Sequence, residues 1–291
     1  MKSEIKNMFR IVKKQVLAKD IVLMDVLAPR IAKSAQPGQF IIVRINETGE
    51  RIPLTVCDYN AASGAVTIVT QIVGVSSRKL CAMNEGDEVE SFVGPLGQPS
   101  EWVHLPQEEL QRKNILFIAG GLGAAPVYPQ VKWLCQHAAK ADVIMGAKHK
   151  DLLILQDEMR AVARHLYIAT DDGSAGFHGL VTDLFKDLVD KQGKKYDLVV
   201  AIGPMIMMKF VALTTKTYNV PTLVSMNTLM VDGTGMCGAC RVTVGGTTRF
   251  TCVDGPEFDG HLVDFDEALR RQTMYREQER AANCKCLEAL A

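Results

Sequence analysis

Net charge is the first thing this sequence lacks. Its 33 Lys and Arg balance 33 Asp and Glu, which leaves no electrostatic reason to expect nucleic acid or an anionic membrane as partner. A long hydrophobic run is missing as well: the most apolar stretch, Ile115 to Val127, is broken by glycines, and Met1 to Arg10 has no secretory core. The expectation is a soluble, cytoplasmic protein with no membrane span. The six histidines show no metalloprotease spacing, and no G-x-S-x-G elbow marks an esterase. His104 and His137 read as packed or solvated, and only His178 lies within a candidate ligand loop. Eight cysteines in 291 residues are too few and too unevenly spread for a disulfide scaffold. Cys57, Cys81 and Cys135 stand singly in apolar surroundings and read as core thiols.

A 47% hydrophobic content supplies ample core for two compact domains and a small third one. The chain changes style twice. Residues 1–105 offer short β-type runs at Ile21 to Val26, Phe40 to Ile45, Val66 to Gln71 and Glu88 to Val93, punctuated by glycine and proline. That spacing predicts an antiparallel β-barrel or sandwich. Residues 106–221 alternate apolar runs (Ile115 to Ala119, Val143 to Met145, Leu166 to Ala169, Leu198 to Ile202) with amphipathic stretches, the pattern of an α/β domain with a parallel sheet. Residues 222–291 form an appended module rich in glycine and cysteine, with β-like runs at Arg241 to Val244 and Thr247 to Thr251. Its charged, helix-prone tail from Phe265 to Leu290 carries Cys284 and Cys286.

The strongest chemical signal is Asp232, Cys237, Cys240 and Cys252, a D-x4-C-x2-C-x11-C pattern. Plant-type two-iron ferredoxins use C-x4-C-x2-C followed by a distant cysteine, so only the first ligand differs. Gly233, Gly235 and Gly238 supply the left-handed angles and close amide approach that a cluster-wrapping loop needs. Asp232 would give one metal a harder oxygen ligand. Two alternatives stand beside this: Asp232 as a loop cap with Cys284 or Cys286 completing the set, and a structural zinc site, disfavoured because only one C-x-x-C knuckle is present.

Gly120, Gly121, Gly123 and Ala124 lie between a predicted strand and a predicted helix, where backbone amides can meet a pyrophosphate. Asp171 and Asp172 open a second loop, and Gly203, Pro204 and Met205 a third, each at the expected end of a strand, where an open parallel sheet binds its ligands. In the first domain Arg51, Pro53, Leu54 and Thr55 place a guanidinium and a hydroxyl together for an anionic cofactor phosphate. Gly74, Ser76 and Ser77 offer another small-residue loop. Lys148 and Lys150 follow the second strand and suit either a 2′-phosphate or water.

The order Arg51-x-Pro53-x-Thr55, Gly120-Gly-x-Gly-x-x-Pro126, Gly203-Pro204 with Met207 or Met208 resembles the ferredoxin-NADP reductase superfamily, with Ile202 where a cysteine is usual. With the terminal cluster motif, the whole chain resembles the electron-transfer subunits of dihydroorotate dehydrogenase, and more closely the small (alpha) subunits of NADH-dependent reduced-ferredoxin:NADP oxidoreductase. The closer likeness rests on Arg51 to Thr55, on the Asp232 variant, on Cys252 to Phe258 and on Val263 to Asp266. This resemblance implies FAD, a [2Fe-2S] cluster and NAD(H), with NADP(H) open. It also implies a larger partner subunit holding a bifurcating flavin and [4Fe-4S] clusters, with ferredoxin met through that partner. Arg51 and Thr55 would touch the flavin, Gly74 and Ser76 its pyrophosphate, and Gly121, Gly123 and Asp172 the nicotinamide nucleotide; no catalytic residue is singled out. Rival expectations are a stand-alone reductase, including a sulfide dehydrogenase-like one, and a non-enzymatic iron-sulfur redox sensor.

Overall fold

The computed structural model describes residues 9–288. Met1 to Met8 and the end of the tail, residues 289–291, lie outside it. Two sheets and a small hairpin carry the chain. A six-stranded antiparallel sheet runs in the order β1-β2-β5-β4-β3-β6. Its strands are β1 (Ile11–Ala18), β2 (Ile21–Leu27), β3 (Phe40–Arg44), β4 (Ile52–Asn60), β5 (Ala65–Gln71) and β6 (Ser91–Leu96). Hydrogen bonds from Val89 N–H to the Phe9 carbonyl and from Ile11 N–H to the Asp87 carbonyl link the start of β1 to the segment entering β6. Helices α1 (Pro29–Ser34) and α2 (Val75–Ala82) interrupt the strands.

β2 shows why its sequence does not alternate. Val22, Met24 and Val26 join one buried cluster with Val66 and Ile68, while Ile21 and Leu23 join another with Phe117 and Val131. Both faces are covered, so the strand is apolar except at Asp25, which is half-buried and accepts from the Thr67 hydroxyl at 2.6 Å. β1 and β4 went unseen in the sequence for opposite reasons. Lys13, Lys14 and Gln15 keep β1 polar on a mostly exposed edge strand, and Pro53 argues against a strand at all. Pro53 is tolerated because β4 pairs with β3 from Ile52 to Thr55 but with β5 only from Val56 onward. The proline nitrogen therefore removes no ladder bond on the β5 side. The strand expected at Glu88 to Val93 is displaced to Ser91–Leu96, with Glu88 making only an isolated bridge to Arg10.

The second sheet has seven strands in the order β10-β9-β8-β7-β11-β12-β15. They are β7 (Ile115–Gly120), β8 (Asp142–Ala147), β9 (His165–Thr170), β10 (Phe177–His178), β11 (Leu198–Ile202), β12 (Thr222–Ser225) and the antiparallel edge β15 (Glu257–Asp259). Helices α3 (Gln107–Arg112), α4 (Ala124–Gln136), α5 (Gln156–Val162), α6 (Val181–Lys186) and α7 (Met205–Thr217) accompany it. β7 is buried throughout, as a strand covered on both faces must be. Strand order reverses between β7 and β11, so the crevice at their carboxyl ends is the topological switch point.

The last module is an excursion from this sheet, leaving after β12 and rejoining as β15. Between them lie the cysteine loop, the hairpin β13 (Arg241–Val244) and β14 (Thr247–Phe250), and the short helix α8 (Thr251–Asp254). The tail forms α9 (Phe265–Gln272), capped by Asp264 accepting from the Glu267 amide at 2.9 Å, and α10 (Arg276–Glu288), which packs beside α2. Cys57 and Cys81 are buried as expected, whereas Cys135 is only partly so. Among the described residues no helix is long and apolar enough to cross a membrane.

Candidate cofactor and cluster site

The cysteine loop closes on itself through Asp232. Its carboxylate accepts from the Thr234 amide and from the Cys237 amide, both at 2.9 Å. These amides, that of Thr234 first, hold the carboxyl below its ordinary range, so it is anionic. Gly233, Gly235 and Gly238 all take positive φ, as the motif demands. Gly233 also needs its missing side chain, since a Cβ there would sit 2.6 Å from the Ile42 side chain and 2.9 Å from that of Leu96. Cys240 and Cys252 are buried, with sulfurs 3.3 Å apart, in an apolar cluster with Phe40, Ile42 and Met230. Burial, and then Cys240, push the Cys252 thiol up, so a cation would have to draw the proton off.

Two thiolates on one tetrahedral metal with bonds of about 2.3 Å stand about 3.7 Å apart, close to the separation seen. Cys237 is exposed and lies with Asp232. Among the described residues no three metal-type side chains converge. The four candidates therefore stand as two pairs, the Cys240 and Cys252 thiols against each other and Asp232 joined to Cys237 through the Cys237 amide. Cys284, exposed on α10, and Cys286 join no such group either.

Among the described residues, the half of β4 that carries Pro53, Leu54 and Thr55 pairs with no strand on its β5 side. Just before it, Arg51 donates from Nε to the Val231 carbonyl at 2.7 Å and from Nη2 to the Asp232 carbonyl at 3.3 Å. The residue expected at a cofactor phosphate thus also grips the cluster loop. Ser76 donates to the Glu50 carboxylate, which brings the Gly74 loop beside the Arg51 motif. Ser77 is committed locally: its hydroxyl accepts from the Val73 and Gly74 amides at 2.9 and 3.0 Å and starts α2. A side chain added at Gly74 would meet nothing, so its surroundings are open.

At the switch point two glycine loops pack back to back. A Cβ on Gly123 would lie 2.0 Å from the Ile202 carbonyl oxygen, and one on Gly120 would lie 2.3 Å from the Met207 sulfur. A Cβ on Gly203 would lie 2.9 Å from the Met207 methyl and 3.0 Å from the Gly120 Cα, a milder constraint. Gly121, at φ +53°, faces open space. Ala124 opens α4, and Pro204 and Met205 lead into α7. Pro126 is the third residue of α4, within its first turn, where the missing amide donor costs nothing. Asp171 and Asp172 are exposed two strands further out, after β9, where their amides donate to the Ala147 and Lys148 carbonyls and tie the loops after β8 and β9 together. The Ser174 side chain and amide hold the Asp172 carboxyl below its ordinary range. The His178 ring packs against Gly173.

Sequence reasoning missed Glu50 and Gln98. Gln98 receives the chain as it returns from the cluster loop, donating from its amide to the Gly255 carbonyl at 2.7 Å and from Nε2 to the Val253 carbonyl at 2.9 Å. Glu50 adjoins the arginine motif and could have been suspected on that ground; Gln98 carries no local signal, because its partner is 155 residues away.

Known proteins fit this geometry. Residues 117–213 match the oxidoreductase NAD-binding domain, and residues 227–264 match the iron-sulfur cluster binding domain of dihydroorotate dehydrogenase B. The chain is 58% identical to an uncharacterized protein of Clostridium beijerinckii over 97% of its own length and 95% of the other. It is 46% identical to a dihydroorotate dehydrogenase B (NAD(+)) electron transfer subunit homolog of Thermotoga maritima, over 93% and 92% of the two chains. Among solved structures, a chain from the NADH-dependent reduced ferredoxin-NADP oxidoreductase structure, described for flavin-based electron bifurcation, superposes with a TM-score of 0.88. The two share 44% identity, covering 96% of this chain and 98% of that one.

Proposed function

This chain belongs to the family of dihydroorotate dehydrogenase B electron-transfer subunits and their homologues, and from that premise we propose that it is the flavin- and iron-sulfur-containing subunit of a heterodimeric, electron-bifurcating ferredoxin:NADP oxidoreductase. A bound flavin exchanges hydride with nicotinamide and single electrons with an iron-sulfur cluster, which is why the two belong together in one chain. The observation that carries the reading is the pairing of Asp232 with Cys237 and of Cys240 with Cys252, one pair for each of two irons, on a loop held by Arg51 of the flavin motif. A single tetrahedral zinc would call for four ligands around one point.

The residues divide the work. Asp232 and the three cysteines would hold the cluster, and the apolar wall of Phe40, Ile42 and Met230 keeps water from the buried pair. Thr55, Leu54 and Pro53, on the uncovered half of β4, would lie along the flavin, in a sheet that we read as a barrel whose edges meet near Phe9. Gly74 and Ser76, at the start of α2, suit its pyrophosphate. Gly120, Gly121, Gly123, Ala124, Gly203, Pro204 and Met205 line the crevice for a nicotinamide nucleotide, with Asp171 and Asp172 at its outer end. The exposed cluster loop around Cys237 is the side from which a larger subunit, itself the docking site for ferredoxin, would pass electrons. A cytoplasmic setting suits these partners.

Anaerobic titration of the purified chain with NADH tests this. Flavin absorbance should bleach first and the cluster signal should follow. NADH that reduces neither would remove the nucleotide assignment. Tagged chain should also recover a larger flavoprotein from its own cells, and recovery of a dihydroorotate dehydrogenase catalytic subunit in its place would move the chain to that enzyme.

A further inference from the structure

Where the three parts of the molecule meet, one oxygen of a carboxyl group lacks a hydrogen-bond donor. Glu257 begins β15, the strand on which the chain returns from the cluster loop to the parallel sheet. Its Oε1 accepts from Ser100 Oγ at 3.0 Å and from Gln130 Nε2 at 2.8 Å. Ser100 lies between the antiparallel unit and the nucleotide unit, and its amide donates to the Pro37 carbonyl at 2.9 Å. Gln130 is on α4, the helix that starts at the glycine loop. Ser100 and Gln130 are each 1% exposed. Glu257 as a residue is half-buried, yet its Oε2 is out of reach of solvent and has no partner, and the same holds for Oε1 of Gln130.

Two buried oxygen acceptors on neighbouring side chains therefore lack a donor, and each such orphan destabilises the fold. The charge balance points the same way. Among the described residues no Lys, Arg or His forms an ion pair with Glu257. The ionisable neighbour is Glu101, of the same sign; the contacts from α4 and the Ser100 turn are neutral. Burial acts first, Glu101 adds to it, and together they outweigh the two hydrogen bonds that favour the anion; the carboxyl is pushed up to about 7.

We propose that Glu257 is a proton-binding site of the folded protein: its carboxyl is a neutral acid with the proton on Oε2, and in that form it interlocks the antiparallel unit, the nucleotide unit and the strand returning from the cluster loop. A proton on Oε2 converts one orphan acceptor into a donor, which the free Gln130 oxygen is suited to accept, while Oε1 keeps its two bonds. Loss of the proton leaves an unpaired anion at the junction that sets the relative placement of the candidate cofactor loops. Glu257 is thus a positioning residue whose contribution depends on pH. Because its folded-state affinity for the proton is raised, its stabilising effect is complete below the ordinary carboxylate range and is lost as pH rises through about 7.

Glu257→Gln in the full chain, purified with whatever cofactors it holds, tests the proposal, because an amide offers the same acceptor and a permanent donor. The unfolding midpoint of the natural protein should fall between about pH 5 and about pH 8, most of it below about pH 7, and that fall should be shallower in the variant, which at the upper end should match or exceed the natural protein. Infrared difference spectra across the same titration should show the carbonyl stretch of a protonated carboxylic acid in the natural protein and lose it in Glu257→Gln. A variant with the same slope, a variant that fails to fold, or a natural protein without that infrared band would each overturn the proposal. None of these readouts depends on flavin or cluster.

Discussion

Replacing Gly123 by alanine puts one methyl group where the structure has no room for it. The added carbon would lie 2.0 Å from the Ile202 carbonyl oxygen and 2.7 Å from its carbon, so the start of α4 and the end of β11 must separate by roughly 1 Å to bring the contact beyond 3.0 Å. Both segments are buried, and the helix-like φ of −58° at Gly123 means that alanine adds no backbone strain of its own. Overpacking of this kind costs about 1–3 kcal/mol. If nucleotide binding has to close the gap again, the same energy appears as a loss of about 5- to 150-fold in affinity for NAD(H). Gly193→Ala, outside every candidate site, is the internal control: its side chain would meet nothing, and only the left-handed φ of +66° is penalised, by about 1–2 kcal/mol. Fluorescence or calorimetric titration with NADH measures both, and the cluster signal serves as the check that the rest of the chain is intact. Equal losses in the two variants, or an unchanged dissociation constant in folded Gly123→Ala, would refute the claim that this crevice holds the nucleotide.

Other consequences can be checked alongside. Arg51→Gln should loosen the loop that carries Asp232 by removing donors to the Val231 and Asp232 carbonyls; since Arg51 is exposed, the cost is about 1 kcal/mol, read as a shifted cluster spectrum together with lower flavin content. Lys132 of α4 holds both carboxylate oxygens of Asp58 in β4, at 2.6 and 2.8 Å and about a third exposed, so a double-mutant cycle on this link between the two units should give a coupling of about 1 kcal/mol. Asp142 is fully buried and accepts from Arg164, His165 and Tyr196; burial opposes its ionisation, yet these bonds win and lower it overall. Asp142→Ala should therefore cost about 3–5 kcal/mol in urea unfolding. The natural protein should lose that contribution only as pH falls through the depressed carboxyl, below the ordinary carboxylate range.

What could be read in advance followed local chemistry. The D-x4-C-x2-C-x11-C spacing and its three glycines pointed to the loop that folds around Asp232, and the apolar runs of the nucleotide unit became β7, β8, β9 and β11, with β11 unshifted and the other ends moved by at most two residues. β1 and β4 were hidden because edge polarity and a proline contradict the usual strand signal, and β12 and β15 because four- and three-residue strands carry too little pattern. The module drawn from residue 222 onward begins inside the parallel sheet for the same reason. At the site, the glycine loops were legible because backbone approach demands glycine. The grip of Arg51 on Val231 and the meeting of Ser100, Gln130 and Glu257 were not, since they join residues 180, 157 and 127 positions apart. No local propensity encodes such contacts.

The central claim is that Asp232, Cys237, Cys240 and Cys252 hold two irons. Iron, zinc and acid-labile sulfide analysis of anaerobically purified protein, with an electron paramagnetic resonance spectrum after reduction, measures it directly. Two irons and two sulfides per chain are expected, with a signal that Cys240→Ser abolishes and Asp232→Cys keeps at an altered potential. Protein that contains zinc without iron, or a signal untouched by Cys240→Ser, would contradict the assignment.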